Sequence, residues 1–226
     1  MSKMVGRRIR NIKGLHIFLI LFFFIGGLVF SQDELSAADK KLQEEILAAF
    51  KSGGEEGVRN FAKNKKDSIS SEFIAAFAQS AAKGKKEEWL KICMVIAEEK
   101  KDEKAVADVN LRMGDYYGLV PDTKKAFEYI EKASAVYVKL NDLVGQGNVL
   151  FSKGDVYFNS EDNTKATEMY DKALPLFEKA GDPIGQGSVY KRKGDIYFNN
   201  GDPSKAKEMY DKAMALYEKG GKTIDF

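Results

Sequence analysis

The sequence predicts an all-α fold, a superhelix built from antiparallel helix hairpins. Three observations predict it. Residues 141–180 and 181–220 are identical at 23 of 40 positions, a degree of register that marks an internal repeat. Within each copy, apolar and aromatic residues recur at helical spacing, as in Ala166, Met169, Tyr170, Ala173, Leu176 and Phe177. Asp182-Pro183 and Asp202-Pro203 each join a helix-capping side chain to a proline suited to the first helical position.

The chain opens on Lys3, Arg7, Arg8, Arg10 and Lys13 with no acidic residue, and an uncharged apolar run of 16 residues follows from Leu15 to Phe30. A basic start, an apolar run and small residues before a polar stretch form a secretory signal peptide over residues 1–31. Val29 and Ser31 suit the positions before a cut, which would start the mature chain at Gln32. The alternative is an uncleaved membrane anchor. At about 1.5 Å per residue, 16 residues reach roughly 24 Å, short of the ~30 Å apolar core of a bilayer. Both readings put residues 32–226 outside the cytoplasm, periplasmic or secreted, because positive flanks stay inside. A membrane contact is expected only if this segment stays attached.

Residues 32–100 read as divergent helical hairpins. Helices are expected at Ser36–Lys51, Glu55–Lys63, Ser70–Lys83 and Lys86–Lys100, punctuated by Gly53, Gly54, Gly57 and Gly84. Residues 101–220 read as three units of about 40 residues, each of two helices. In the middle unit these run from Leu143 to Asn159 and from about Thr164 to Lys179. The first unit, 101–140, matches the second at 12 of 40 positions, among them Gly114, Asp115, Tyr117, Ala126, Lys132 and Ala133. Residues 221–226 form a short tail.

Gly154, Tyr157, Ala166, Tyr170 and Ala173 return as Gly194, Tyr197, Ala206, Tyr210 and Ala213, after Gly114, Tyr117, Ala126, Ile130 and Ala133. This alternation of small and aromatic residues resembles the tetratricopeptide repeat, in a longer form with a period of 40 rather than the usual 34. The resemblance implies a right-handed superhelix, with small residues letting helices approach and aromatics filling the space where the next repeat stacks. The units also resemble arrays that precede CHAT-type protease domains; no such domain stands in this sequence.

Composition narrows the chemistry. The 226 residues are 44% hydrophobic and 31% charged, as in globular proteins. His16 is the only histidine and Cys93 the only cysteine, so an intramolecular disulfide is impossible. With His16 in the signal, the folded part lacks the side chain most used for proton transfer near neutral pH. Without the first 31 residues, 31 basic residues face 34 acidic ones, a net charge of −3, which removes the electrostatic motive for nucleic-acid binding. Gly145-Gln146-Gly147 and Gly185-Gln186-Gly187 follow no strand, so close helix packing is expected there rather than a phosphate loop. Cys93 lies on an apolar face and is expected to be a buried thiol. Asp115, Asp155 and Asp195 are expected about 10 Å apart on neighbouring first helices, too far to share one small ion.

The resemblance implies a concave groove lined by the first helices. Its partner-binding positions would be Leu111, Arg112, Asp115, Asn148, Phe151, Asp155, Phe158, Asn159, Ser188, Lys191, Arg192, Asp195, Phe198 and Asn199, with Ser152 beside them. Phe158 and Phe198 are candidate anchors unless they tuck against the neighbouring hairpin. The other candidate surface is an open C-terminal edge near Met209, Met214, Leu216 and Tyr217. The expected function is an exported, non-catalytic scaffold or adaptor that binds a protein or peptide through the groove or that edge. No cofactor or metal is expected. The alternative is a membrane-tethered sensory or accessory domain that self-associates through its C-terminal repeat.

Overall fold

The computed structural model describes residues 37–221. The segment read as a signal, with its cut after Ser31, and residues 222–226 of the tail lie outside the described residues. Among the described residues the elements are α1 (Ala37–Lys65), a 3-10 turn (Lys66–Ser68), α2 (Ser71–Lys83), α3 (Glu87–Lys100), α4 (Glu103–Leu119), α5 (Thr123–Lys139), α6 (Leu143–Asn159), α7 (Asn163–Ala180), α8 (Pro183–Asn199) and α9 (Pro203–Lys219). The fold is all-α. The helix pairs α4–α5, α6–α7 and α8–α9 pack as hairpins, and α2, α4, α6 and α8 stand side by side as the inner row.

α1 is two helical limbs joined at a kink. Gly54 has φ 57° and ψ −141°, a conformation that favours glycine. Lys65 Nζ lies 3.9 Å from Glu45 Oε2, whereas a straight helix would separate them by about 30 Å. The two limbs therefore fold back on each other at Gly54, as the two helices expected from the glycines require. Arg59, on the second limb, pairs with Glu99 at the end of α3.

The turns share one device. Asp102, Asp122, Asp142, Asp162, Asp182 and Asp202 recur every 20 residues, and each is a helix N-cap. The side chain of Asp142 accepts from Gly145 N at 2.9 Å, while its own N–H donates to Tyr137 O at 3.0 Å. One aspartate thus opens a helix with its carboxylate and closes the previous helix with its amide, satisfying end groups on both. The same amide bond reaches back five residues at Asp102, Asp122, Asp162, Asp182 and Asp202.

Small residues sit where aromatics press. A methyl group at Gly154 would overlap the Tyr170 ring, and at Gly194 it would meet the Tyr210 ring at 2.6 Å. The Phe177 ring is held between Gly147 of its own hairpin and Gly185 of the next. The two Gly-Gln-Gly segments are therefore packing sites. Tyr157 fills the space between repeats, 5.2 Å from the Phe127 ring, but Tyr170 and Tyr210 work within their hairpins. The buried residues form successive clusters along the array, with Ile46, Phe77, Leu90 and Ile96 in the first, Leu111, Ile130 and Tyr137 in the second, and Tyr170, Phe177 and Val189 in the third.

Candidate partner-binding groove

A concave pocket of about 390 Å³ opens between α2, α4, α6 and α8. The helical period brings Arg112 and Asp115 to it from α4, and Asn148, Phe151, Asp155 and Asn159 from α6; Arg192 enters from α8. Seven of the residues expected in the groove thus meet in one place. α2 adds Gln79, Ala82 and Lys83, none of which was among the positions expected from the repeat. The inner row of helices begins one hairpin earlier than the regular repeat.

Two expectations about the lining are corrected. Leu111 is 0% exposed, packed in the core with Ala107, Ile130 and Val149, so it faces no partner. Ser188 is half-buried inside its own hairpin: its hydroxyl donates to Ile184 O at 2.9 Å and accepts from Tyr217 at 3.2 Å. Phe158, Lys191, Asp195, Phe198 and Asn199 do not line the pocket. Phe158 is half-buried beneath Arg192, whose guanidinium carbon lies 5.6 Å from the ring centre. Phe198 is 64% exposed.

The charges in the pocket are organised by hydroxyls and guanidinium groups. Arg112 Nη1 lies 2.7 Å from Asp115, and the buried Ser152 hydroxyl donates to the other oxygen of Asp115 at 2.6 Å. Arg192 holds Asp155 through two contacts and touches Asp195 at 3.3 Å. Tyr170 donates to Asp155 at 2.6 Å and Tyr210 to Asp195 at 2.9 Å. Burial pushes the Asp155 carboxyl above the usual carboxylate range, against the pull of Arg192 and Tyr170. Burial and the neighbouring Asp195 push the Tyr210 hydroxyl up to about 12. Burial lowers the Arg112 pKa, but the Asp115 charge outweighs it and holds the guanidinium above its ordinary value. The sequence placed the aspartates but not these pairings: Arg112 stands one turn from Asp115, whereas Tyr170 and Tyr210 reach across a hairpin and Ser152 and Arg192 reach nearly a repeat to Asp115 and Asp155.

Three polar groups at the pocket stand apart: the Gln79 side chain, Lys83 and Asn148. Among the described residues, Lys83 forms no ion pair and the Gln79 and Asn148 side chains no hydrogen bond. They share the lining with Phe151 and Leu119, so the pocket offers a cation, amides and apolar side chains together. Among the described residues no group of three or more His, Cys, Asp or Glu could hold a metal ion, and no helix is long and apolar enough to cross a membrane. Cys93 is buried, and burial pushes its thiol pKa up, away from thiolate chemistry.

A family profile described as tetratricopeptide repeat matches residues 145–219. Among solved structures, the chain is similar to BtubC (BKLC) from P. vanneervenii, with a TM-score of 0.55 and 19% identity, over 82% of this chain and 75% of that one. At that identity the likeness concerns the fold alone. No curated protein matches the sequence.

Proposed function

We propose that this chain, whose residues 145–219 match the tetratricopeptide repeat, is an exported, non-catalytic scaffold whose concave pocket takes an extended segment of a partner protein. Repeats of this family mediate protein–protein contact, and the basic and apolar start of the sequence supports export. The observation that carries the reading is the pairing pattern in the pocket. Arg112, Asp115, Asp155 and Arg192 satisfy one another, so they shape the wall and leave little to a ligand. Lys83 and Asn148 carry unspent polar capacity beside Phe151 and Leu119. That set suits a segment with a carboxylate for Lys83, a backbone amide for Asn148 and an apolar side chain between them.

Site-specific photocrosslinking in the cell envelope tests it. A photoreactive residue at Asn159, on the pocket wall, is expected to capture a defined partner segment; one at Lys172, on the outer helix α7, is not. A synthetic copy of that segment should bind the purified chain about tenfold more weakly when Lys83→Glu is introduced, a difference of about 1.4 kcal/mol. Equal capture from both positions, or indifference to Lys83→Glu, would overturn the reading.

A further inference from the structure

α8 docks onto the preceding hairpin through a joint with two parts. Gly185 lies against the Phe177 ring, where a methyl group would overlap it. Seven residues on, and so on the same helix face, Arg192 closes on Asp155 and crosses the Phe158 ring. Asp195 and Phe198 stand one repeat later, at the positions of Asp155 and Phe158. Tyr210 donates to Asp195 as Tyr170 donates to Asp155, so the second copy of the acceptor is held in the same way.

The two copies differ in what sits on them. Asp155 receives a bidentate guanidinium at 2.9 and 3.0 Å from the next repeat. Asp195 meets Lys191 and Arg192 at 3.3 Å each, both from its own helix and both at one oxygen. No cation among the described residues crosses Phe198, which is 64% exposed where Phe158 is covered.

We propose that the face carrying Asp195 and Phe198 docks an amphipathic helix of another protein, one that lays an arginine across Phe198 and onto Asp195 as Arg192 lies on Phe158 and Asp155. Two features commit the occupant. The face continues the interface that α6 and α7 present to α8, and its acceptor is a carboxylate beside an exposed ring, which a planar guanidinium satisfies on both counts. A second copy of this chain cannot offer the Arg192 face of its own α8, because that face is already closed on α6 and α7. The site is separate from the groove, since neither Asp195 nor Phe198 lines the pocket.

The probe is a synthetic peptide with the sequence of residues 182–199, titrated against the full chain by calorimetry. Saturable one-to-one binding is expected. Phe198→Ser in the chain, or Arg192→Lys in the peptide, should each weaken it by about tenfold, because lysine cannot make the bidentate contact. Phe198 is exposed, so its substitution leaves the core untouched. Lys83→Glu in the chain should leave peptide binding unchanged, which separates this site from the groove. No saturable binding up to millimolar peptide, or binding indifferent to Phe198→Ser, would overturn the proposal. So would loss of binding with Lys83→Glu. Self-association of the chain that Phe198→Ser abolishes would assign the face to a second copy and overturn it as well.

Discussion

Arg192 on α8 reaches back across a repeat boundary and closes on Asp155 of α6, with Nε 2.9 Å from one carboxylate oxygen and Nη2 3.0 Å from the other. The same carboxylate receives the Tyr170 hydroxyl from α7. Three helices from two hairpins thus meet at one part-buried acid. In a solenoid each unit touches only its neighbours, so contacts of this kind set how cooperatively the array unfolds.

Arg192→Ala is expected to lower stability by about 1–2 kcal/mol, the range for a partly buried charge-assisted bond whose partner is left behind. Arg192→Lys should recover less than half, since it restores the charge without the fork. Urea unfolding would measure both. A double-mutant cycle with Asp155→Ala should give a coupling of about 1 kcal/mol. A coupling near zero would mean the pair is mere surface charge.

Gly154→Ala sets two effects of opposite sign against each other. Alanine improves helix propensity by about 1 kcal/mol. The added methyl overlaps the ring of Tyr170, which is 0% exposed and cannot retreat. Overpacking of this kind costs about 1–3 kcal/mol, so a net loss is expected, measured as a lower urea midpoint. Gly53 is the control: a methyl there meets nothing within 4 Å, and Gly53→Ala should stabilise by roughly 0.5–1 kcal/mol.

How far the sequence could be read follows from the range of each interaction. Helix ends such as Leu143 and Asn159 were legible because cap, apolar period and turn chemistry all act within a few residues. The role of the glycines was legible as close approach, but not the ring each one meets. Leu111 and Phe198 show where the reading stopped. Positions 111, 151 and 191 are equivalent in the repeat, yet Leu111 is buried and Lys191 exposed, because burial depends on which helices stand on either side. The acid–guanidinium joint escaped notice because Arg192 replaces Ser152 at its repeat position, and a single substitution inside a repeat reads as drift. The 20-residue spacing of the capping aspartates was visible in the sequence, and only two of its members were used.

At five of the six capping aspartates the preceding residue turns the chain through the left-handed region, Pro121 before Asp122 being the exception. Gly181 and Gly201 occupy the left-handed region at φ 67° and 77°, and Glu161 occupies it at φ 62° without being glycine. A side chain there costs about 1–2 kcal/mol, partly offset by the greater freedom glycine has when unfolded. Glu161→Gly is therefore expected to stabilise by roughly 0.5–1 kcal/mol. Thermal unfolding would show a raised midpoint, and a lowered one would mean that Glu161 contributes contacts the turn geometry does not reveal.

Acid should unfold the array through its caps. Hydrogen bonds to the Lys125 amide at Asp122, to the Lys165 side chain and amide at Asp162, and to the Lys205 amide at Asp202 hold these carboxyls below their ordinary pKa. At Asp102 and Asp142 burial works the other way but is outweighed, by Ser71 and the Ala105 amide in one case and by the Gly145 amide and Lys104 in the other. Near such values the unfolded chain binds more protons than the folded one. The stabilisation is therefore complete above the unfolded pKa of about 3.9 and is lost as pH falls through the folded values. Asp155 has the opposite sign, since burial raises its pKa and protonation in the folded state adds stability as pH falls. Five caps against one part-buried acid leave a net loss, so the urea midpoint should be steady down to about pH 5 and drop below about pH 4. Asp162→Asn keeps an acceptor at the cap but no longer titrates, and should make that drop shallower. A midpoint that does not move between pH 5 and pH 3, or a steeper fall in Asp162→Asn, would show that the caps do not govern acid stability.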